Sequence, residues 1–251
     1  MTSTADELLR EISRCPNVLS IIAGNTRHPC AEIVLSQSVV DIEDFQVPEP
    51  WNGDIRLARL LYLSSNPSIS DVEEYPVWKS HNTLIEDFFV HRFGGGLKPW
   101  VIEGKRALAK DGTYLRATPY WSEIANRSAE LFGRAVTPGV DYALTEIVHC
   151  KSRSMIGVDS AITECGERYL SRVLQASEAT VVASIGSKAG DLLRKALHET
   201  GTESIIGPRE IAGKKRLVLF LAAPGSSKPR IISRVLTPEE AQLVGDHLSD
   251  R

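Results

Sequence analysis

Four short apolar runs constrain the fold of this chain more than any other feature: residues 58–63 (ARLLYL), 142–148 (YALTEIV), 179–185 (ATVVASI) and 216–221 (RLVLFL). Each has the length and near-continuous hydrophobicity of a strand buried on both faces. Between the second and third, Ala161, Cys165, Leu170 and Leu174 fall near helical spacing and predict a helix over 158–177. After the third, Ala189, Leu192, Leu193 and Ala196 predict another over 187–198. Strands that alternate with helices imply right-handed crossovers. The expected fold class is therefore α/β, a three-layer α/β/α sandwich around a central, mainly parallel four-stranded sheet. Further helices are expected over 5–14, 82–91 and 121–132, with a glycine-rich loop (Gly94, Gly95, Gly96) between the last two. Thr237, Pro238, Glu239 and Glu240 carry the N-cap, first-turn proline and acidic first turn of a final helix. The whole of 1–251 reads as one domain. It has an extension over 1–50 that is irregular after its first helix, a core over 51–235 and the closing helix over 236–251.

At 42% hydrophobic and 24% charged residues, the chain sustains one sizeable core. A formal charge of -3 excludes a generally sticky, histone-like nucleic-acid binder and leaves room for one whose cations sit on a few loops. No apolar run approaches the roughly 18 residues that span a bilayer. The first ten residues are polar and acidic, without a basic start followed by an apolar stretch, so the expected location is the cytoplasm and no membrane partner is expected. In that compartment Cys15, Cys30, Cys150 and Cys165 are not expected to form disulfides. Four thiols suit an iron–sulfur cluster, a tetrahedral zinc ion or a set of free buried side chains.

In open parallel sheets, ligands bind beyond the carboxyl ends of the strands. There the chain reads Ser64-Ser65-Asn66-Pro67-Ser68, then Glu146 to His149-Cys150-Lys151, then Gly186-Ser187-Lys188, then Ala223-Pro224-Gly225-Ser226-Ser227-Lys228. Two proline-containing loops with a carboxylate between them describe a pocket. This arrangement resembles the uracil-DNA glycosylase superfamily. LLYLSSNPS at 60–68 looks like that superfamily's first motif in its asparagine version, and LFLAAPGSS at 219–227 looks like its second. The stretch Thr145-Glu146-Ile147-Val148-His149-Cys150, followed by Cys165, Tyr169-Leu170 and a strand into Gly186, is similar to the iron–sulfur branch known as family four. The resemblance spans about two-thirds of the chain. Three departures accompany it: Glu146 stands where the relatives read the uracil edge with asparagine, Ala223 replaces a histidine, and Cys15 and Cys30 replace an N-terminal Cys-x-x-Cys.

The resemblance implies a DNA glycosylase acting as a monomer on DNA, with a [4Fe-4S] cluster on Cys15, Cys30, Cys150 and Cys165 that takes no part in the chemistry. It places Asn66 where the catalytic water is positioned, and an amide orients water without acting as a base. The bland alternative is that Asn66-Pro67 only shapes a turn. Asp71, Glu73 and Glu74 are candidates for a missing carboxylate, Asp71 foremost, against the alternative of solvated surface charge. Ser65 and Pro67 would contact the base, and Tyr75 and Trp78 would stack on it, unless both aromatics are core residues. Ser187, Lys188, Pro224, Gly225, Ser226, Ser227, Lys228 and Arg230 would meet the DNA backbone.

Glu146 is the sharpest clue. A carboxylate inside an apolar strand is costly unless paired or protonated. In its acid form it accepts from the cytosine N4 amine and donates to N3, whereas its ionised form repels uracil O4. The expected substrate is therefore a modified, cytosine-type base, and some members of the superfamily remove such bases in antiviral defence. Repair of uracil or deaminated purines, non-catalytic nucleotide binding, and a Glu146 salt bridge to a nearby lysine or arginine are the alternatives.

Overall fold

The computed structural model describes residues 4–39, 41–226 and 231–249. The elements are α1 (Thr4–Ser13), α2 (Pro16–Ile22), α3 (Ala31–Leu35), β1 (Trp51–Asn52), β2 (Leu60–Ser64), α4 (Asn82–Val90), β3 (Val101–Ile102), β4 (Arg106–Ala107), α5 (Pro119–Phe132), β5 (Tyr142–Glu146), α6 (Val158–Ala176), β6 (Val181–Ile185), α7 (Ser187–Ala196), β7 (Ile205–Ile211), β8 (Lys214–Leu221) and α8 (Pro238–Ser249). Among the described residues no helix is long and apolar enough to cross a membrane.

The main sheet has six strands in the order β1-β5-β2-β6-β8-β7. Its four central strands are the four apolar runs, and they are mutually parallel. Two antiparallel edge strands extend the sheet beyond the four expected. Residues 205–211 hide a strand because Pro208 interrupts their pattern. Proline is tolerated there because β7 is an edge strand whose register slips between Ile206 and Arg209. β1 is two residues long, too short for any periodicity to register.

Alternation along the strands feeds two cores. Leu61, Leu63, Ala143, Val182 and Val218 pack toward α1, α4, α6 and α7, while Leu60, Tyr62, Leu144, Ala183 and Leu219 pack toward α5 and α8. At the amino end of β8, buried Arg216 donates to the carbonyls of Leu174 (2.7 Å), Ser177 (2.8 Å), Ala179 (2.8 Å) and Ile211. Its charge thereby meets the negative end of α6. The last helix starts as expected: Glu240 N–H donates to Thr237 Oγ1 (3.2 Å), and Thr237 N–H donates back to Glu240 Oε2 (2.8 Å).

The stretch after α1 is less irregular than expected, because α2 and α3 fold against α6. Gly157 permits that contact. It caps α6 with φ 73°, and a Cβ there would lie 2.3 Å from Ile33 N and 2.8 Å from Glu32 C, both backbone atoms that no rotamer change can clear. Gly133 has a similar φ of 63° with open space around it. Gly157→Ala is thus expected to cost at least the roughly 1–3 kcal/mol of a forced backbone conformation plus displacement of α3. Gly133→Ala bears only the first part. Urea denaturation of both variants checks this, and equal losses would mean that the α3 contact is soft.

Candidate active site

β2 and β5 end side by side, with Ser64 paired to Glu146. Beyond the strands, Ile147 N–H donates to Ser64 O and Val148 N–H to Ser65 O, both at 2.9 Å. The loop after β2 stays attached, since Ser152 N–H donates to Pro67 O at 3.0 Å. Asn66 and Glu146 therefore share the carboxyl end of the sheet. Ser65 and Asn66 are half-buried, Pro67 is buried, and the Asn66 amide accepts from Ser65 Oγ (3.2 Å) and donates to Pro67 O (3.0 Å).

Glu146 is only 9% exposed, its Oε2 has no hydrogen-bond partner, and it takes part in no ion pair among the described residues. Burial holds its pKa well above the usual carboxylate range, and the Glu49 carboxylate pushes in the same direction. Glu49, which the sequence did not single out, is buried and accepts from Asn52 Nδ2 (2.5 Å) and Tyr75 OH (3.1 Å). The second residue missed is Tyr120, at the start of α5. Its hydroxyl is hydrogen-bonded to Ser64 Oγ, and burial together with Glu146 raises its pKa. The Pro119-Tyr120 opening of a helix was the only sequence signal for it, and it gives no hint of which strand end the helix meets.

The expected stacking aromatics sit elsewhere in the packing. Tyr75 is 7% exposed, with Phe88 and Phe89 edge-on at 4.9 and 5.9 Å and the buried Lys151 ammonium 3.4 Å from its ring centre. Both its hydroxyl and one ring face are occupied. Trp78 lies edge-on to Phe45 (6.3 Å), with the Arg14 guanidinium 5.2 Å from its ring centre. Core packing thus accounts for each, and Tyr120 is the aromatic beside Glu146. Asp71 is exposed and paired with Arg153 (2.5 Å), outside the buried cluster. Glu73 is buried in an ion pair with Arg92, and Glu74 pairs with Lys98 at the surface (3.1 Å).

On the other side of β2 the chain shapes a groove of about 620 Å³ between the start of α7 and the exit of β8, with Ser187, Arg194, Phe220, Ala223 and Ser226 on its walls. Arg127, buried on α5, fastens that exit by donating to Ala222 O (2.7 Å). Ser226 Oγ is buried without a partner, Gly225 turns with φ 84°, and Pro224 precedes it in the same turn. Lys188 is held by Asp159. Ser227, Lys228 and Arg230 lie outside the described residues. β2 and β6, where the strand order reverses, stand between this groove and Glu146, which is where an open α/β sheet places its ligand.

The four cysteines come from the residue before α2, the residue before α3, the loop after β5 and the middle of α6, yet all four line one small chamber. Its walls are otherwise mainly apolar (Ile12, Val18, Val34, Val148), with Arg168 and Tyr169 beside Cys15. Tyr169 OH donates to Cys15 Sγ (3.4 Å). No group of three or more His, Cys, Asp or Glu among the described residues closes to single-ion distance. No protein-family model matches the chain, and no curated protein matches it.

A folded-state pKa above the unfolded one gives stability that is complete below the unfolded value and lost as pH rises toward the folded value. Glu146→Gln keeps the shape and has no proton to lose. Its melting temperature relative to the wild type is expected to rise as pH increases above about 5 in scanning calorimetry. A difference independent of pH would mean that Glu146 is ionised in the fold.

Proposed function

We propose that this chain is a DNA glycosylase of the uracil-DNA glycosylase superfamily that hydrolyses the N-glycosidic bond of a flipped, modified cytosine-type base. The observation that carries this reading is the buried Glu146 carboxyl, whose Oε2 has no hydrogen-bond partner, beside the Asn66 loop at the carboxyl end of the parallel strands; burial raises its pKa, which favours the acid form. A buried donor or acceptor left unpaired costs roughly 1–3 kcal/mol, so its persistence in a fold implies a ligand that completes it. The cytosine edge does so, giving an N4–H to the carboxyl oxygen and taking the carboxyl proton at N3. Tyr120 offers the neighbouring aromatic surface.

The reaction balances on these groups. The Glu146 proton moves to N3 as the C1′–N1 bond breaks and its electron pair leaves with the base. A water held by Asn66 then bonds to C1′ and gives up a proton, which restores Glu146. Ala223 has no polar group to supply charge to the leaving base, so the acid supplies it. In this reading DNA binding draws on the groove walls and on Pro224, Gly225 and Ser226, with Ser227, Lys228 and Arg230 assigned from the sequence alone.

A cluster on the four cysteines belongs to the same reading. The donor set fits: four buried thiols face one chamber, and the Arg168 guanidinium on its wall has a buried Nε without a partner, suited to an anionic metal–thiolate group. As thiols, burial pushes Cys30 up to about 12 and raises Cys150 and Cys165, each helped by its sulfur neighbours. Bound metal supplies the positive charge that makes them thiolates. Among the described residues no group of three or more His, Cys, Asp or Glu closes on a metal ion, and this reading takes a cluster with one metal atom per cysteine. Its part is to tie the N-terminal helices to the loop after β5 and to α6.

Duplex and single-stranded DNAs carrying uracil, hypoxanthine, cytosine or glucosylated hydroxymethylcytosine, probed for alkali-labile abasic sites, test the enzyme. Modified cytosine is expected to be cut, and Glu146→Gln is expected to lose about 10²-fold or more of that rate. Preference for plain uracil would overturn the base assignment, and binding without cleavage of any substrate would overturn the enzyme. For the cysteines, anaerobically purified protein is expected to be brown and to contain iron, and Cys150→Ser to lose both. Colourless, iron-free wild type would leave the four side chains as free thiols.

A further inference from the structure

Between Cys150 and α6 the chain runs beside the Asn66 loop and forms an exposed apolar tip. Ser152 is tied to that loop in both directions: its N–H donates to Pro67 O (3.0 Å), and Ile69 N–H donates to its carbonyl (3.3 Å). Ser152 Oγ donates to Ile156 O at 2.7 Å, so Ile156 is one hydrogen-bonded residue away from the Asn66 loop. Ile156 N–H donates in turn to Arg153 O (3.0 Å) and closes a four-residue turn over 153–156. Buried Lys151 and Ser152 precede this turn and buried Gly157 and Val158 follow it, while Met155 is 42% and Ile156 45% exposed.

The backbone of the turn does not favour the side chains it carries. Its two central residues, Ser154 and Met155, have φ of 49° and 65°, and positive φ at both positions is the form that asparagine and glycine adopt most readily. A methionine there gains neither conformational ease nor burial. Both ends of the turn are nevertheless hydrogen-bonded, so Met155 and Ile156 are held out on a firm support. Val72, further along the Asn66 loop, is also exposed, and exposed Lys110 donates its backbone N–H to Val72 O at 2.9 Å. An apolar rim with a cation beside it therefore follows the Asn66 loop.

We propose that Met155 and Ile156 form a wedge that enters the base stack of duplex DNA and fills the gap left by the extruded nucleotide. This rests on the reading of the Asn66 loop as the glycosylase site. A side chain that parts a base step needs an apolar surface for the neighbouring base faces and a support that does not give way. The tip has both. Lys110 supplies a cation for a flanking phosphate. Single strands have no stack to part, so the wedge acts on duplex substrates alone.

A duplex carrying a tetrahydrofuran abasic analogue, with 2-aminopurine opposite it, reads the wedge without any cleavage. Wild-type protein is expected to brighten the 2-aminopurine on binding, and Met155→Gly and Ile156→Ala to lose most of that rise. Met155→Gly also relieves the positive φ, so its melting temperature is expected to stay level or rise, which separates a lost wedge from a damaged fold. Leu57→Ala, which removes an exposed aliphatic side chain before the amino end of β2, is expected to behave as wild type. Excision of modified cytosine is expected to fall about tenfold or more on duplex in both wedge variants and to stay within about twofold on single strands. A wild type that binds the duplex without brightening it, or equal losses on single and double strands, overturns the proposal. Brightening that depends on Met155 and Ile156 with no DNA cut overturns the enzyme and leaves the wedge standing. Duplex cleavage at an undiminished rate in both variants overturns the wedge alone.

Discussion

The structure depends on the double ladder of β2. Leu60–Ser64 is hydrogen-bonded to β5 on one side and to β6 on the other, and all five residues are buried. A one-residue slip in either ladder would exchange Leu61 and Leu63 for Leu60 and Tyr62 between the two cores, which differ in depth and in the helices that cover them. The same register sets Ser64 opposite Glu146, so the packing that stabilises the sheet also places the carboxyl beside the Asn66 loop. Chain connections diverge from β2 in both directions, and the crevice between those directions is where open parallel sheets bind ligands.

Around that crevice the protein carries more buried charge than its interior would hold at random. Arg92, Lys151, Glu73 and Glu49 are all nearly sealed from solvent. They are compensated by one another and by aromatic faces: the Arg92 guanidinium lies 4.2 Å from the Phe88 ring centre and 5.2 Å from that of Trp121. Such networks stabilise little relative to an apolar core, yet they fix protonation states and geometry. Glu146 is the member left without a counter-charge. Burial raises its pKa, and the Glu49 carboxylate pushes the same way.

The N-terminal helices connect a second region to this one. Gly157 lets α3 sit against the start of α6, which brings Cys30 to the chamber shared with Cys15, Cys150 and Cys165. His149 lies between the chamber and Glu49, lining the first and hydrogen-bonded to the backbone of the second. Buried as it is, its imidazole is held neutral, with a pKa lowered to about 4. Order in the cysteine chamber therefore bears on the segment that carries Glu49.

The four parallel strands, the helices between them and the capping box of α8 were legible in the sequence, because burial on both faces and helical spacing are local patterns. So was the placement of Asn66 and Glu146 at one end of the sheet, since residues at strand ends in an open parallel sheet have one place to go. β7 was hidden by Pro208, and β1 by its brevity. Tyr75 and Trp78 looked like stacking residues because an aromatic after a strand-end loop has no sequence mark that separates a free ring from one that other side chains have closed. Only the tertiary structure showed Lys151 on the Tyr75 face, Tyr120 beside Ser64 and Glu49 against His149. These contacts join residues 56 to 100 positions apart, and no periodicity reports them. The sequence by itself determined the sheet and the end of it where chemistry is sought. The tertiary structure decided which charges meet there, because a buried carboxyl takes its protonation state from neighbours that the chain brings together only on folding.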